Sequence, residues 1–472
     1  MSVATIPWTF LQRLTFASGL LLGGCSLVPA YHQPQTPLAP AWDNAQGQAT
    51  AASGGPWWEE FHSPELNALV TQGLTRNYSL QAAKSRIDEA QAQAQVVGAA
   101  QYPLLSIGGN FQRENNYGTT EKRSVFADAS YEVDFWGKQR AAGDASTALA
   151  HATAFDAQTL RMTLGATIAT SYFQVLSLND RLRLAQSIVD DAQQVLDLVQ
   201  VQAAQGAVSS LEVEQQRNAL QTFQAAMPPL RQQRDAALYQ LAVLVGVSPQ
   251  GFHITQTGLG DLAVPAPSTG LPIGLLRQRP DIEAAEARLK SANFDVGVAR
   301  AAFLPNLSLD LQSGIDTLAG GGIWSLIGNL SQPVFAGGQL KGQLHFDQAQ
   351  VQELTANYRE SVIEAVQDVQ TQLSAGHELD QAYSLNQAAV TSARESARLA
   401  QVRYRLGSTD FQTLLIVERT QYQAEDSLLQ VRLQHLQAAV GLFRALGGDF
   451  TPANIAANAA PSNSSTVQAT HS

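Results

Sequence analysis

Ala100-Gln101-Tyr102-Pro103-Leu104-Leu105-Ser106-Ile107 returns 202 residues later as Ala302-Phe303-Leu304-Pro305-Asn306-Leu307-Ser308-Leu309. Three further landmarks recur at nearly the same spacing. Phe135-Trp136-Gly137 returns as Phe335-Ala336-Gly337, Gly206 as Gly407 and Gly246 as Gly447, at offsets of 200, 201 and 201. One unit of about 200 residues is therefore written twice. A length prior of about 150 residues per domain predicts roughly three domains for 472 residues. The duplication replaces that expectation with two copies, 61–248 and 272–449, joined by a connection at 249–271.

Both quoted stretches open a run of period two. Leu105, Ile107, Gly109 and Phe111 alternate with Ser106, Gly108, Asn110 and Gln112, which predicts a strand at about 104–113. Val125, Ala127, Ala129, Tyr131, Val133 and Phe135 alternate with Asp128, Ser130, Glu132 and Asp134 over 124–135. Leu307, Leu309, Leu311 and Ile315 alternate with Ser308, Asp310, Gln312 and Asp316 over 306–316, and Trp324, Leu326 and Leu330 mark a weaker fourth run over 323–334. Runs of about ten residues are what a tilted strand needs to cross a hydrocarbon layer. Alternation alone fits half-buried strands of a soluble sheet equally well. Four strands cannot close a membrane barrel, since the smallest have about eight and an open edge in lipid leaves backbone groups unpaired. A membrane location therefore requires several copies of the chain. Asn115-Asn116-Tyr117-Gly118 and Gly320-Gly321-Gly322 supply the loops between paired strands.

Beyond the strands lie proline-free stretches rich in Ala, Gln, Leu and Arg. Gln139 to Gln205 and Gln339 to Arg405 each read as one helix, about 100 Å long at 1.5 Å per residue. Leu385, Ala389, Ser392, Ser396 and Leu399 have the spacing of buried positions and are mostly small, which suits closely packed, gently coiled helices. Each long helix ends in a glycine-containing reversal, at Gln205-Gly206-Ala207-Val208-Ser209 and at Tyr404-Arg405-Leu406-Gly407-Ser408, followed by a return helix. Pro228-Pro229 sits inside only the first return helix, so the two returns should differ in bend.

Composition narrows the classes. The chain is 45% hydrophobic and 15% charged with a net charge of -11, and its mean hydropathy is -0.10. The acidic balance without a Lys/Arg run argues against a nucleic-acid partner, and no stretch of about 18 apolar residues predicts a membrane helix. The eight His residues are scattered, no G-x-S-x-G occurs, and Gly137-Lys138-Gln139 is no phosphate loop. No catalytic residue, metal or cofactor is expected, and Asp190-Asp191 reads as a solvated helix face. Cys25 is the only cysteine. It follows Arg13 and the short apolar run Leu20-Leu21-Leu22, so residues 1–24 read as a signal peptide and Leu22-Gly23-Gly24-Cys25 as a lipobox. Residues 25–60 then form a lipid-anchored N-terminal segment, Ser26 points to the outer membrane, and 450–472 read as a disordered tail.

Trp57-Trp58-Glu59-Glu60-Phe61, Leu276-Arg277-Gln278-Arg279-Pro280-Asp281-Ile282-Glu283-Ala284-Ala285-Glu286, Pro333-Val334-Phe335-Ala336-Gly337-Gly338 and Ala445-Leu446-Gly447-Gly448 resemble landmarks of the NodT-type lipoproteins within the TolC-like outer membrane factor family. The resemblance covers about Trp57 to Phe450. It implies a mostly α fold with a β-barrel contribution: a homotrimer sharing a twelve-stranded outer membrane barrel on a twelve-helix periplasmic barrel with an equatorial collar. It further implies passive export of small molecules, with a periplasmic adaptor and an inner-membrane pump of the resistance-nodulation-division type as partners. The reversals at 205–209 and 404–408 would then dock with the adaptor. In the family a Leu-Asp-Ala-Gln-Arg run past the second reversal narrows the periplasmic end. Here that run is Leu415-Ile416-Val417-Glu418-Arg419, so Ile416 stands at the acidic position. Asp410, Gln412, Ile416, Glu418 and Arg419 are the gate candidates, either as a polar constriction or as an apolar ring closing by dewetting. Two alternatives remain at this stage: a type I protein-secretion channel of the same fold, and a lipid-anchored structural or adhesive coiled-coil protein.

Overall fold

The computed structural model describes residues 27–43, 56–115, 119–265, 274, 278–316 and 320–448. The signal segment, Cys25, the loop residues Asn116 to Gly118, the end of the connection at 266–271 and the tail all lie outside the described residues. The chain forms two compact units, one of Met1–Thr36, Ser85–Phe155 and Ile282–Ser361, the other of Pro37–Lys84, Asp156–Asp281 and Val362–Ser472. Each draws on both copies of the repeat.

The duplication is visible element by element. The first copy holds α1 (Pro64–Arg76), α2 (Tyr78–Gly98), β1 (Leu104–Asn115), β2 (Thr119–Val133), α3 (Lys138–Ala204) and α4 (Ser210–Val245). The second holds α5 (Pro280–Ala301), β3 (Asn306–Asp316), β4 (Gly321–Ser331), α6 (Gln339–Arg405) and α7 (Phe411–Ala445). The long helices α3 and α6 have 67 residues each, and both their ends lie 201 positions apart.

In the first unit the four strands form one antiparallel sheet in the order β1-β2-β3-β4, so β2 and β3 join the two copies of the repeat. The register aligns Leu105 with Ala129 and Leu311 with Leu326, and brings Leu307 opposite Leu330. Because strand side chains alternate with period two, one face is apolar across all four strands, and the other carries Ser106, Asp128, Asp310 and Gln312. β2 starts five residues before the expected 124. Its first turn of chain is charged rather than apolar, and Glu121 pairs across the strands with Arg113 at 3.6 Å. β4 includes Gly321 and Gly322, which were expected in the loop. Trp136 Nε1 donates to the carbonyl of Pro305 at 2.7 Å, tying two of the repeat landmarks together.

Residues 27–33 run as a strap along α5. Arg300 donates to the carbonyl of Leu27, Asn293 Nδ2 to that of Pro29 at 2.9 Å, and Tyr31 and Gln33 both donate to the Glu286 carboxylate at 3.2 Å. Val28 lies so close over Gly297 that any Cβ there would collide with it.

The second unit is built around aromatic packing. Trp57 stacks on Phe443 at 5.5 Å, and Phe61, fully buried, meets Phe173 at 5.1 Å. Ser63 caps α1 by accepting from the Leu66 amide, with Pro64 at the first helical position, where its missing N–H is harmless. The Arg-Pro-Asp landmark is a buried fork. Arg279 donates to both oxygens of Asp281, at 3.0 and 2.6 Å, and through Nη1 to Asp368 and the carbonyl of Ala445 at 3.2 Å. Burial works against the charged guanidinium, but the two carboxylates outweigh it and raise its pKa. Gly246 (φ 80°) and Gly447 (φ 100°) end α4 and α7 in the left-handed region. A Cβ on Gly246 would sit 2.6 Å from the carbonyl oxygen of Arg76, and one on Gly447 would collide with that of Gln278. The same close approach is thus made in both copies, and only glycine permits it.

The stripe Leu385, Ala389, Ser392, Ser396 and Leu399, expected to be buried, lies on the exposed side of α6, with Leu385 69% exposed. The buried side is Val390, Ala397, Ala400 and Tyr404. Both stripes have heptad-like spacing, so periodicity alone could not say which one packs within the chain. α4 continues through Pro228 and Pro229.

Candidate functional site

The two reversals are one structure made twice. At the first, Gly206 (φ 74°) lets the Ala207 amide return to the carbonyl of Gln202 at 2.9 Å; at the second, Gly407 (φ 68°) lets the Ser408 amide return to that of Arg403 at 2.8 Å. These closures satisfy carbonyls a helix end would otherwise orphan. The Ser209 amide donates to Glu212 at 2.7 Å, opening α4, and the Thr413 amide and hydroxyl donate to Asp410 at 2.8 Å, opening α7. The bonds from Thr413 hold the Asp410 carboxyl below the usual carboxylate range.

Gln205, Gly206, Ala207, Ser209, Arg405, Leu406, Gly407 and Ser408 are exposed, Val208 is half-buried, and Leu406 is 76% exposed. Tyr404 is different. It is buried in a cluster with Val199, Ala400, Phe411 and Leu414, with Val208 packed against it, and its hydroxyl donates to Gln202 Oε1 at 3.3 Å. Tyr404 therefore pins the two tips together and is not an exposed contact residue.

Past the second tip, α7 presents two faces. Phe411, Leu414, Glu418 and Tyr422 are buried; Gln412, Ile416 and Arg419 are exposed, Ile416 by 58%. Glu418 is only 5% exposed and accepts from Gln401 Nε2 at 3.1 Å. It therefore belongs to the helix packing, which removes it from any constriction formed by the Ile416 face. Asp410 is exposed, but its carboxylate is occupied by the cap.

Behind that face lies a group of acids the sequence did not reveal. Burial pushes the Glu418 carboxyl up, and Asp191 adds to this. Asp191 is itself pushed up by burial and by Asp190 and Glu425. Glu425 is tied to Arg394 at 2.6 Å. Burial and the neighbouring acids push the Tyr422 hydroxyl up as well. Asp191 is therefore not the solvated acid expected. Asp190, which accepts from Gln186 at 2.8 Å, is. Among the described residues no group of three or more His, Cys, Asp or Glu could hold a metal ion, and no helix is long and apolar enough to cross a membrane.

Comparison with known proteins agrees with this geometry. The model of the outer membrane efflux protein family matches the chain twice, over residues 69–247 and 271–448. The pyoverdine export outer membrane protein OpmQ of Pseudomonas aeruginosa is 35% identical over 449 residues, covering 91% of this chain and 95% of its own. The outer-membrane channel OprN superposes with a TM-score of 0.82 at 27% identity, over 90% of this chain and 99% of its own. The open-state outer membrane channel MtrE of Neisseria gonorrhoeae gives 0.80 at 26% identity, over 90% and 98%. The chain therefore belongs to the outer membrane efflux protein family: it is an efflux channel of the outer membrane, a passive conduit and not an enzyme.

Proposed function

We propose that three copies of the chain form the exit duct of a tripartite system. It would receive small molecules from an inner-membrane pump of the resistance-nodulation-division type through a periplasmic adaptor. The observation that carries this is the pair of matched, exposed tips held together by Tyr404. Three chains present six such tips, a repeated surface for an adaptor. Assembly follows from the sheet and from α6. β1 and β4 are the outer strands of the sheet, and in lipid their free edges must pair with other copies. The exposed stripe from Leu385 to Leu399 has the spacing of a coiled-coil seam and is suited to cover by a neighbouring copy.

Cleavage after residue 24 would leave Cys25 as the lipid-bearing N-terminus, two residues before the strap that holds Leu27 to Arg300. Residues 249–271 serve as the equatorial connection; within them the amides of Thr255 and Gln256 donate to Glu65 at 2.6 and 3.0 Å. The exposed α7 face, with Ile416 flanked by Gln412 and Arg419, lines the periplasmic constriction. Three isoleucines there close a narrow pore by excluding water. Deleting the gene while measuring drug susceptibility and the secreted proteome tests the cargo. Raised susceptibility with an unchanged proteome supports small-molecule export. Loss of one secreted protein with unchanged susceptibility points to protein secretion instead.

A further inference from the structure

The polar face of the sheet contains one row that is not polar. Gly108, Phe126, Gly314 and Ile323 are paired in register across β1, β2, β3 and β4. The row on one side is Ser106, Asp128, Gln312 and Ser325; on the other it is Asn110, Ser124, Asp316 and Gly321. Both glycines are fitted to β2, Gly108 to the Phe126 ring and Gly314 to the backbone at Val125 and Phe126. A Cβ at Gly108 would lie 2.8 Å from the Phe126 ring, and one at Gly314 would collide with the Val125 carbonyl oxygen and lie 2.7 Å from the Phe126 Cα and Cβ. The ring therefore lies along the sheet over Gly108 and is half-buried. Rows on one face of a sheet are about 7 Å apart along the strands, so Asp128 and Asp316 stand one row away on either side.

We propose that this row is a binding station in the lumen for apolar cations that carry aromatic rings. It rests on the reading that the polar face lines a water-filled barrel. An aromatic face attracts cations and stacks with rings, and the two aspartates supply the opposing charge. Three chains repeat the row around the lumen, giving three Phe126 rings and three Ile323 side chains at matched levels. Cargo crossing a mostly polar passage would pause there rather than bind tightly, as conduction requires.

The test uses the full-length protein in planar bilayers, with tetraphenylphosphonium as the probe and tetraethylammonium as a non-aromatic control. Wild type should show brief current blocks by tetraphenylphosphonium. Phe126→Ser should shorten their dwell about two- to tenfold, the range of one aromatic contact, and leave the control unchanged. A second variant guards against misassembly. Phe126→Cys should react with a water-soluble maleimide in the assembled protein while Leu309→Cys, on the apolar face, should not; Cys25 is the only native cysteine. Current with equal dwell times in wild type and Phe126→Ser overturns the station but leaves the channel standing, as does an unreactive Phe126→Cys. Where the Ile416 constriction holds wild type silent, the comparison is made in an Ile416→Asp background, and no current from that background overturns both.

Discussion

Replacing Arg279 by Leu removes the fork that joins the start of α5 to the end of α7. The guanidinium is buried, with 8% side-chain exposure, and loses four hydrogen bonds, to Asp281, Asp368 and the carbonyl of Ala445. Breaking a buried charge pair from one side costs about 3–5 kcal/mol. Asp281 and Asp368 are 32% and 41% exposed and can rehydrate, so the low end, about 3 kcal/mol, applies here. The junction should then open about a hundredfold more often. Hydrogen exchange on the detergent-solubilised protein reads this directly: amides of 281–286 and 441–445 should exchange about a hundredfold faster in Arg279→Leu, while those near Phe61 and Phe173 change little. Arg279→Lys keeps the charge but cannot grip both oxygens of Asp281, and should fall between. Unchanged exchange at those amides in Arg279→Leu would refute the view that the Arg-Pro-Asp landmark is a structural fork.

The glycines should separate by surroundings rather than by backbone angle. Gly447→Ala forces a collision with the Gln278 carbonyl on top of left-handed strain and should abolish folded protein in the membrane fraction, whereas Gly407→Ala meets open space and should cost about 1 kcal/mol with normal yield. Glu418 gives a pH dependence. Its folded pKa is raised, so its desolvation opposes the folded packing above that pKa, and the penalty disappears as pH falls toward the unfolded value. Thermal stability of wild type should therefore gain on mild acidification, and Glu418→Gln should be more stable than wild type at neutral pH with a weaker gain on acidification. Glu65 runs oppositely: burial raises its pKa, but bonds from Thr255, Gln256 and Tyr172 prevail and lower it, so its contribution holds at neutral pH and fades as pH falls through the folded pKa. Glu65→Gln should accordingly lose stability at neutral pH and converge on wild type in acid.

Elements with internal periodicity were legible in the sequence. The 201-residue repeat fixed both ends of α3 and α6 to within one residue, because proline-free stretches bounded by Asp134 or Gly338 and by a glycine reversal leave little freedom. The strand faces were legible too, since a shift of one residue would have reversed Leu105 and Asp128. Which helix stripe packs within one chain was not legible. Leu385-Ala389-Ser392 and Val390-Ala397-Ala400 offer comparable apolar surfaces, and the choice depends on partners that sequence spacing does not encode. Tyr404 and Glu418 were named by the resemblance alone, as a tip residue and a gate candidate, and spacing could not show that their neighbours bury them. The row of Gly108, Phe126, Gly314 and Ile323 was not legible, because these residues are unremarkable singly and become one feature only through the register.

Conductance of Ile416→Asp against wild type in planar bilayers bears most directly on the proposal that the exposed α7 face closes a passive duct. Three carboxylates in place of three isoleucines should wet and open the constriction, giving a higher conductance with stronger cation preference and no added energy source. Equal conductance in the two proteins, with both inserted as trimers, would place the constriction elsewhere and contradict the role assigned to Ile416.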